Sequence, residues 1–411
     1  MLRLMKIILI ILIVVIISSS EIRTEKEKND IALIHGLYNQ AELIIEGDNN
    51  IQINFDYIYN IIIIKCSINN EEYRFVLDTG AESTIIDGKL AKSLELKEKA
   101  NIDIIDRTNT RKNKKIVIIN SLKIASMKFK NKAVVTTDIS RIRDFGFNVD
   151  GIIGSDILRF FIVTLNYEKK VINFSIDKNL EIYKGRACKI PLKSRSELFY
   201  TPKIDYFVKG NRIEAIIDTG SNGYISFPRE IINNNIEYFS RRELIESRGS
   251  NSFSVLDRNY EQDYILQLHD FRIGNLQFEK QVVKTGSYGL IGNKFLENFK
   301  VIINYLNGEL VLIKKHENIQ RDPYYFGFSI KGNEEDEVIV SGYWEGSPAE
   351  KAGIQIGDKI IKVNGRTSES YNLVDICEIV NSEEVKELEL LIENKDGKSK
   401  ILLEKDLMFL K

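Results

Sequence analysis

The chain has 411 residues, of which 43% are hydrophobic and 28% are charged, and its formal net charge at pH 7 is −1. A chain of this length and apolar content can bury several cores, which is typical of a globular protein with more than one domain. The nearly neutral charge gives no electrostatic basis for binding nucleic acid, so we expect no nucleic-acid partner.

The N-terminal segment has the order of a signal peptide. Basic residues precede an apolar run from residue 7 to residue 17, and three serines follow it. The run is shorter than the roughly 20 apolar residues of a membrane-spanning helix. We therefore predict a signal peptide at residues 1–20 and export to the periplasm or the exterior, with a retained membrane anchor at residues 7–17 as the alternative. Residues 21–48 form a polar lead-in, and their 31–45 part is expected to be helical.

The tripeptide Asp-Thr-Gly occurs twice, at residues 78–80 and 218–220, and each copy ends an apolar run. A single copy is a weak signal, because these residues also form ordinary turns. The layout around the first copy, from Ile61 to Ile86, reads as strand, turn, strand and tripeptide, and Lys203 to Ile225 repeats it at an offset of 140.

Apolar segments that end in glycine follow both tripeptides. Gly151-Ile152-Ile153-Gly154 and Gly289-Leu290-Ile291-Gly292 match at an offset of 138, and the match continues into the next predicted strands. The similarity thus covers far more than the tripeptide. The sequence therefore predicts an internal duplication.

The duplicated motifs resemble the pepsin and retroviral-protease superfamily of aspartic peptidases, specifically bacterial retropepsin-like proteins with two lobes fused in one chain. The resemblance covers roughly residues 50–315. It implies a mainly β fold of two pseudo-symmetric barrel lobes, at residues 49–180 and 181–315. It also implies short helices near Asp156 to Phe161 and Lys294 to Asn298.

The resemblance further implies an aspartic-type endopeptidase, a hydrolase that acts on peptide or protein substrates, with Asp78 and Asp218 as its catalytic residues. Two carboxylates held about 3 Å apart cannot both ionise, so they share a proton. One then acts as general base and the other as general acid on a water molecule. This chemistry requires no metal and no other cofactor.

The neighbouring residues have implied supporting roles. Thr79 and Thr219 are expected to hydrogen-bond across the lobe junction, and the glycines that follow them allow backbone N–H groups to approach the carboxylates. The supporting set is Thr79, Gly80, Ala81, Thr219, Gly220 and Ser221. Ser221 has a hydroxyl donor and Ala81 has none on its side chain, and this asymmetry predicts a pH optimum of about 5 to 6.

In retroviral-type proteases, hairpins called flaps close over the bound peptide. The first flap is expected near Asp106 to Lys115, which has no glycine, and the second near Arg248 to Asn259, where Gly249 is the only one. The first flap would therefore need an asparagine at any position of positive φ.

The C-terminal region, residues 322–408, is predicted to be a separate domain after a polar linker at residues 314–324. Its motifs resemble a PDZ domain of the bacterial protease-associated kind. They are Phe326-Gly327-Phe328, Gly346-Ser347-Pro348-Ala349-Glu350-Lys351-Ala352-Gly353, Gly357-Asp358-Lys359-Ile360-Ile361 and Val363-Asn364-Gly365. The resemblance implies that the Phe326-Gly327-Phe328 loop binds the C-terminal carboxylate of a peptide ligand, which adds as a strand beside a helix near Ser370 to Val380.

Other functions are less well supported. The three histidines lie in separate regions, and none belongs to a metalloprotease or serine-hydrolase motif. Paired carboxylates also serve in glycosidases, but the Thr-Gly context and the single tryptophan disfavour that function. The main alternative is a non-catalytic peptide-binding scaffold, in which the double barrel is inactive and the PDZ domain does the recognition.

Overall fold

The computed structural model describes most of the residues of the chain. They are residues 25–105, 111–178, 187–193, 200–233, 244–249, 263–316, 319, 324–333, 337–407 and 409. The predicted signal segment lies outside them. None of the helices within these ranges is long and apolar enough to cross a membrane.

The lead-in differs from the prediction of a helix over residues 31–45. Helix α1 is Glu25–Asn39, and strand β1, Glu42–Ile45, follows it and pairs antiparallel with residues 127–130. Leu43 and Ile45 pack against the core of the lobes. The strand forms because an edge of the first-lobe sheet is available to pair with it, which a local helix pattern does not reveal.

The first lobe is built from short strands with three small helices. Its elements are β2 (Asn50–Asn54), β3 (Asp56–Ile58), β4 (Ile61–Ile68), β5 (Glu71–Leu77), β6 (Ile85–Asp87), α2 (Gly88–Ser93), β7 (Glu98–Ile105), β8 (Arg111–Ile124), β9 (Met127–Thr137), α3 (Ser140–Asp144), β10 (Gly151–Ile153), α4 (Ser155–Leu158), β11 (Ile162–Asn166) and β12 (Val171–Ser175). Asn69 and Asn70 form the predicted turn between β4 and β5, both with positive φ.

The second lobe repeats this order. Its elements are β13 (Cys188–Pro191), β14 (Lys203–Val208), β15 (Asn211–Asp218), β16 (Ile225–Pro228), α5 (Arg229–Asn233), β17 (Leu244–Gly249), β18 (Tyr264–Ile273), β19 (Leu276–Gly286), β20 (Gly289–Gly292), α6 (Asn293–Leu296), β21 (Phe299–Asn304) and β22 (Glu309–Lys314). In both lobes the apolar-Gly strand lies between the same two neighbours. β10 is parallel to β5 and antiparallel to β6, and β20 is parallel to β15 and antiparallel to β16.

A shared sheet joins the two lobes. Its strand order is β13-β22-β21-β11-β12-β2, and β11 of the first lobe pairs antiparallel with β21 of the second, with Thr164 opposite Ile302. One continuous apolar core includes Phe75 of the first lobe and Phe295 of the second. These features confirm the predicted mainly β fold with two pseudo-symmetric lobes.

The C-terminal domain is a small sheet with two helices. Its elements are β23 (Tyr324–Tyr325), β24 (Phe328–Gly332), β25 (Val338–Trp344), α7 (Pro348–Lys351), β26 (Lys359–Val363), β27 (Arg366–Thr367), α8 (Leu373–Asn381), β28 (Glu387–Asn394), β29 (Gly397–Glu404) and β30 (Asp406–Leu407). Helix α8 begins with a capping box between Asn372 and Asp375, which satisfies backbone donors at its first turn.

The C-terminal domain packs closely on the lobes. A second apolar core includes Ile116 and Phe145 of the first lobe together with Phe328 and Ile376 of the C-terminal domain. The predicted linker also packs on a lobe, because Ile319 is buried and its carbonyl accepts a hydrogen bond from Gln281 Nε2 at 3.2 Å. The three units therefore form one packed assembly.

Candidate active site

The two Asp-Thr-Gly loops meet at the lobe junction, and the apolar-Gly segments hold them there. The backbone N–H of Asp78 donates to Ile153 O at 3.0 Å. Beyond each tripeptide, Ser155 N donates to Ala81 O at 2.7 Å and Asn293 N donates to Ser221 O at 2.9 Å. Each loop is therefore fixed by backbone hydrogen bonds to the segment that follows the matching apolar-Gly strand.

The carboxyl groups of Asp78 and Asp218 meet at the lobe junction, each against the glycine of the opposite loop. Backbone N–H groups surround them: Gly80 and Ala81 donate to Asp78 Oδ1 at 2.8 and 2.9 Å, and Gly220 donates to Asp218 Oδ1 at 2.8 Å. Burial raises the pKa of Asp78, and the hydrogen bonds from Asp218 and from the backbone oppose this shift. Asp78 therefore retains a proton to higher pH than an isolated aspartate would.

Glycine is required at both third positions of the tripeptides. A Cβ atom on Gly80 would lie 2.6 Å from Asp218 Cγ, and a Cβ atom on Gly220 would lie 2.3 Å from Asp78 Cγ. Each glycine thus makes room for the carboxylate of the opposite lobe. Glycine is therefore required at both positions because a larger residue would clash with the opposite carboxyl group, and not only because glycine lets backbone N–H groups approach.

Thr79 and Thr219 form a reciprocal clamp across the junction. Thr79 Oγ1 donates to Ile217 O at 2.6 Å and accepts from Thr219 N at 3.0 Å. Thr219 Oγ1 donates to Leu77 O at 2.7 Å and accepts from Thr79 N at 3.0 Å. Both side chains are fully buried. Four hydrogen bonds therefore fix the relative position of the two aspartates.

A second pair of contacts supports the clamp, and the sequence analysis did not single it out. Ser155 Oγ donates to Thr79 O at 2.7 Å and lies 3.3 Å from Tyr305 OH. Asn293 Nδ2 donates to Thr219 O at 2.6 Å, and Asn293 Oδ1 accepts from Tyr167 OH at 2.8 Å. In each case the tyrosine belongs to the opposite lobe. The sequence contained a signal for these contacts, because Ser155 and Asn293, and likewise Tyr167 and Tyr305, are separated by the 138-residue offset of the aligned repeat.

The residues after the two glycines, Ala81 and Ser221, make different contacts. Ala81 has no side-chain donor, but its backbone N–H supplies one to Asp78, as given above. Ser221 Oγ accepts from Gly223 N at 3.3 Å. The two loops therefore differ less in the hydrogen-bond donors that they offer to Asp78 and Asp218 than the side chains of Ala81 and Ser221 alone indicate.

Buried charges lie beneath the first loop. The backbone N–H and the hydroxyl of Thr84 donate to Asp156 Oδ1 at 2.8 and 2.7 Å, and Lys132 Nζ lies 2.6 Å from Asp156 Oδ2. Nearby, the Glu82 carboxylate accepts from Tyr200 N at 2.9 Å and from the Thr201 hydroxyl. These contacts tie the first loop to the strands on both sides of the lobe boundary.

We expect Glu82 to make stability depend on pH. Burial raises the pKa of Glu82 from 4.5 to about 7. Between these values the folded chain keeps a proton that the unfolded chain has lost, so the stability that this proton confers is complete below about pH 4.5 and is lost as the pH rises to about 7. The expected loss is about 3 kcal/mol.

Guanidinium unfolding of the native protein and Glu82→Gln, at about pH 4 and about pH 8, measures this effect. The native protein is expected to lose more stability than the variant between these two conditions. Glu72→Gln, at an exposed position, is the matched control. Equal losses in the native protein and Glu82→Gln would contradict the assignment.

The predicted flaps are described only in part. β7 and β8 form a hairpin in which Ile105 lies opposite Arg111, but residues 106–110 at its tip lie outside the described residues. In the second lobe, β17 pairs with β18, and most of the predicted 248–259 segment is likewise outside them.

The Phe326-Gly327-Phe328 loop precedes β24 and lies against α7. Gly327 has a φ of +88°, and a Cβ atom there would lie 2.1 Å from Ser347 Cβ, so both the conformation and the space require glycine. Trp344 N donates to Gly327 O and Ala349 N donates to Phe326 O, each at 2.9 Å. These contacts anchor the loop at the start of β24, and α8 lies beside that strand.

Comparison with known proteins agrees with this arrangement. A family model described as aspartyl protease matches residues 64–157, which include the first Asp-Thr-Gly copy, and a PDZ domain model matches residues 317–393. The human and rat proteins named Rho guanine nucleotide exchange factor 11 are each 34% identical to this chain over 71 residues, which cover 17% of this chain. The chain spans about 4% of the length of those relatives. The chain thus carries an aspartyl protease-like domain followed by a C-terminal PDZ domain.

Proposed function

We propose that this chain is an exported aspartic endopeptidase, which hydrolyses peptide bonds with a water molecule activated by Asp78 and Asp218. The observation that carries the proposal is that these two carboxyl groups meet at the lobe junction, where each packs on the glycine of the opposite loop. A shared proton between two carboxyls is the requirement of this chemistry. Export is supported by the signal-like order of residues 1–20.

The proposed mechanism uses the dyad as base and acid in turn. The ionised carboxylate takes a proton from water as the water oxygen bonds to the scissile carbonyl carbon, and the protonated carboxyl gives its proton to the carbonyl oxygen. The C–N bond of the resulting gem-diol then breaks. The amide nitrogen takes the proton now held by the first carboxyl, and a diol hydroxyl returns one to the second. The dyad regains a single proton, and no acyl-enzyme forms.

We infer that the PDZ domain binds peptide C-termini or the ends of partner proteins. The loop at Phe326-Gly327-Phe328 precedes a strand, β24, whose Phe328–Ile330 edge opposite β25 has no paired strand among the described residues. An extended peptide adds to such an edge through main-chain hydrogen bonds, with its carboxylate at the loop.

Cleavage of a mixed peptide library by the purified chain, from about pH 3 to about pH 8, tests the function. We expect internal cleavage that is insensitive to a metal chelator and to a serine-directed sulfonyl fluoride. Inhibition by either reagent would assign the activity to another mechanism. No cleavage at any pH by folded protein would instead favour the non-catalytic scaffold.

A further inference from the structure

The C-terminal domain contacts the second-lobe hairpin through a shared sheet. Residues 247–249 of β17 pair antiparallel with residues 342–344 of β25, so that Ser247 lies opposite Trp344. Glu345 N donates to Glu246 O at 3.0 Å, and Arg248 forms an ion pair with Glu345 at 2.5 Å. The strand that leads into the predicted second flap thus lies between β18 of the second lobe and β25 of the PDZ domain.

Helix α8, beside the predicted peptide-binding groove, contacts the first lobe at one residue in particular. Tyr59 N donates to Glu378 Oε1 at 2.8 Å, and Asn381 Nδ2 donates to Tyr59 OH at 3.1 Å. Tyr59 therefore contacts residues on two successive turns of α8.

The next residue continues the connection to the catalytic centre. Asn293 Nδ2 donates to Asn60 O at 2.7 Å and to Thr219 O at 2.6 Å. Asn60 Nδ2 donates to Asn222 O at 3.4 Å, on the far side of the same loop. Tyr59 and Asn60 both have positive φ, of 43° and 59°, so they form a tight turn that fixes their relative positions. A continuous series of contacts therefore links α8 to the backbone beside Asp218.

We propose that the PDZ domain regulates the catalytic centre: a peptide bound between β24 and α8 changes turnover through the Tyr59–Asn60 turn. This proposal rests on the proposed function. The threonine clamp and the contacts of Asn293 are complete with α8 in the position described above. A peptide that displaces α8 therefore perturbs the Asn60 and Thr219 contacts of Asn293, and turnover falls.

The test uses the full chain and a set of short peptides that end in valine, leucine or phenylalanine carboxylate, with C-terminal amides as controls. Binding is followed by the fluorescence of Trp344, the only tryptophan of the chain. The tightest binder of the set is then added at saturation to a cleavage assay. We expect kcat to fall about fivefold, the lower end of typical allosteric coupling.

The double variant Glu378→Ala, Asn381→Ala removes exposed side chains of α8 that contact Tyr59 and leaves the lobes unchanged. Its kcat is expected to be insensitive to the peptide while the peptide still binds. Glu384→Gln, an exposed acidic residue just beyond α8, is the matched control and is expected to respond as the native protein does. The proposal is overturned if no carboxylate peptide binds, if kcat of the native protein is unchanged by the bound peptide, or if the double variant responds equally.

Amide hydrogen exchange of residues 218–224 gives a readout that does not need cleavage. We expect the bound peptide to alter this exchange in the native protein and not in the double variant. If the chain cleaves nothing but exchange responds in this way, the coupling stands and the proposed function fails. If the chain cleaves and neither kcat nor exchange responds to the peptide, the proposed function stands and the coupling fails.

Discussion

Asp218→Asn is expected to abolish peptide cleavage while the protein remains folded. The asparagine amide has nearly the same shape as the carboxyl, and its oxygen can still accept the hydrogen bond that Gly220 N donates. It cannot alternate between a proton acceptor and a proton donor, and a pair of groups that shares a proton loses its function when either member is replaced. We expect kcat/KM to fall by about 10³-fold or more.

The same loss is expected for Asp78→Asn, because the two carboxyls act as a unit and their effects do not add. Asp270→Asn is the matched control, since Asp270 is an exposed aspartate of the second lobe with positive φ, which asparagine also tolerates. Denaturant unfolding of each variant separates lost chemistry from lost fold. Cleavage by either dyad variant at the native rate would place the chemistry elsewhere.

The paired carboxyl groups also help to distinguish a protease from a non-catalytic peptide-binding scaffold. A non-catalytic double barrel has no physical need for two carboxyls at its centre, because burial of ionisable groups is costly unless they are well paired. Asp78 and Asp218 are instead held against each other by the glycines and threonines of both loops. The close pairing of the two carboxyls therefore favours catalysis, and the dyad variants test it.

The sequence predicted the strands and turns around the two Asp-Thr-Gly copies well, because the signals there are local and occur twice. The turn at Asn69-Asn70, the strand that ends at the first Asp-Thr-Gly copy, and the short helix after Gly154 each follow from residues close together in the chain. The repeat at the second copy then confirmed the pattern. The supporting roles of Ser155 and Asn293 could have been found in the same way, by asking what the aligned repeat places next to each loop.

The packing of the C-terminal domain on the lobes could not be predicted in this way. Tyr59 and Glu378 are 319 residues apart in sequence, and the pairing of β17 with β25 joins strands from different domains. No local period or motif encodes such contacts. The lead-in shows the same limit, since residues 42–45 become a strand only because β9 offers an edge to pair with.

Thr219→Val is expected to destabilise the lobe junction and to reduce turnover. Valine matches threonine in shape but lacks the hydroxyl, so Leu77 O loses its donor and Thr79 N loses its acceptor at a fully buried position. Leaving buried polar groups unpaired costs about 1–3 kcal/mol each, so we expect a loss of about 2–4 kcal/mol in unfolding free energy. Thr219→Ser keeps the hydroxyl and is the control for the clamp.

The clamp is reciprocal, and a double-mutant cycle can test this property directly. Thr79 N and Thr219 N each donate to the hydroxyl of the other threonine, so Thr79→Val and Thr219→Val remove parts of one network. The losses from the two single variants should therefore not add in the double variant. Additive losses would show that the two threonines stabilise their own lobes independently. In that case the close approach of Asp78 and Asp218 would have to be maintained by the glycines and by the shared β11–β21 sheet, without the clamp.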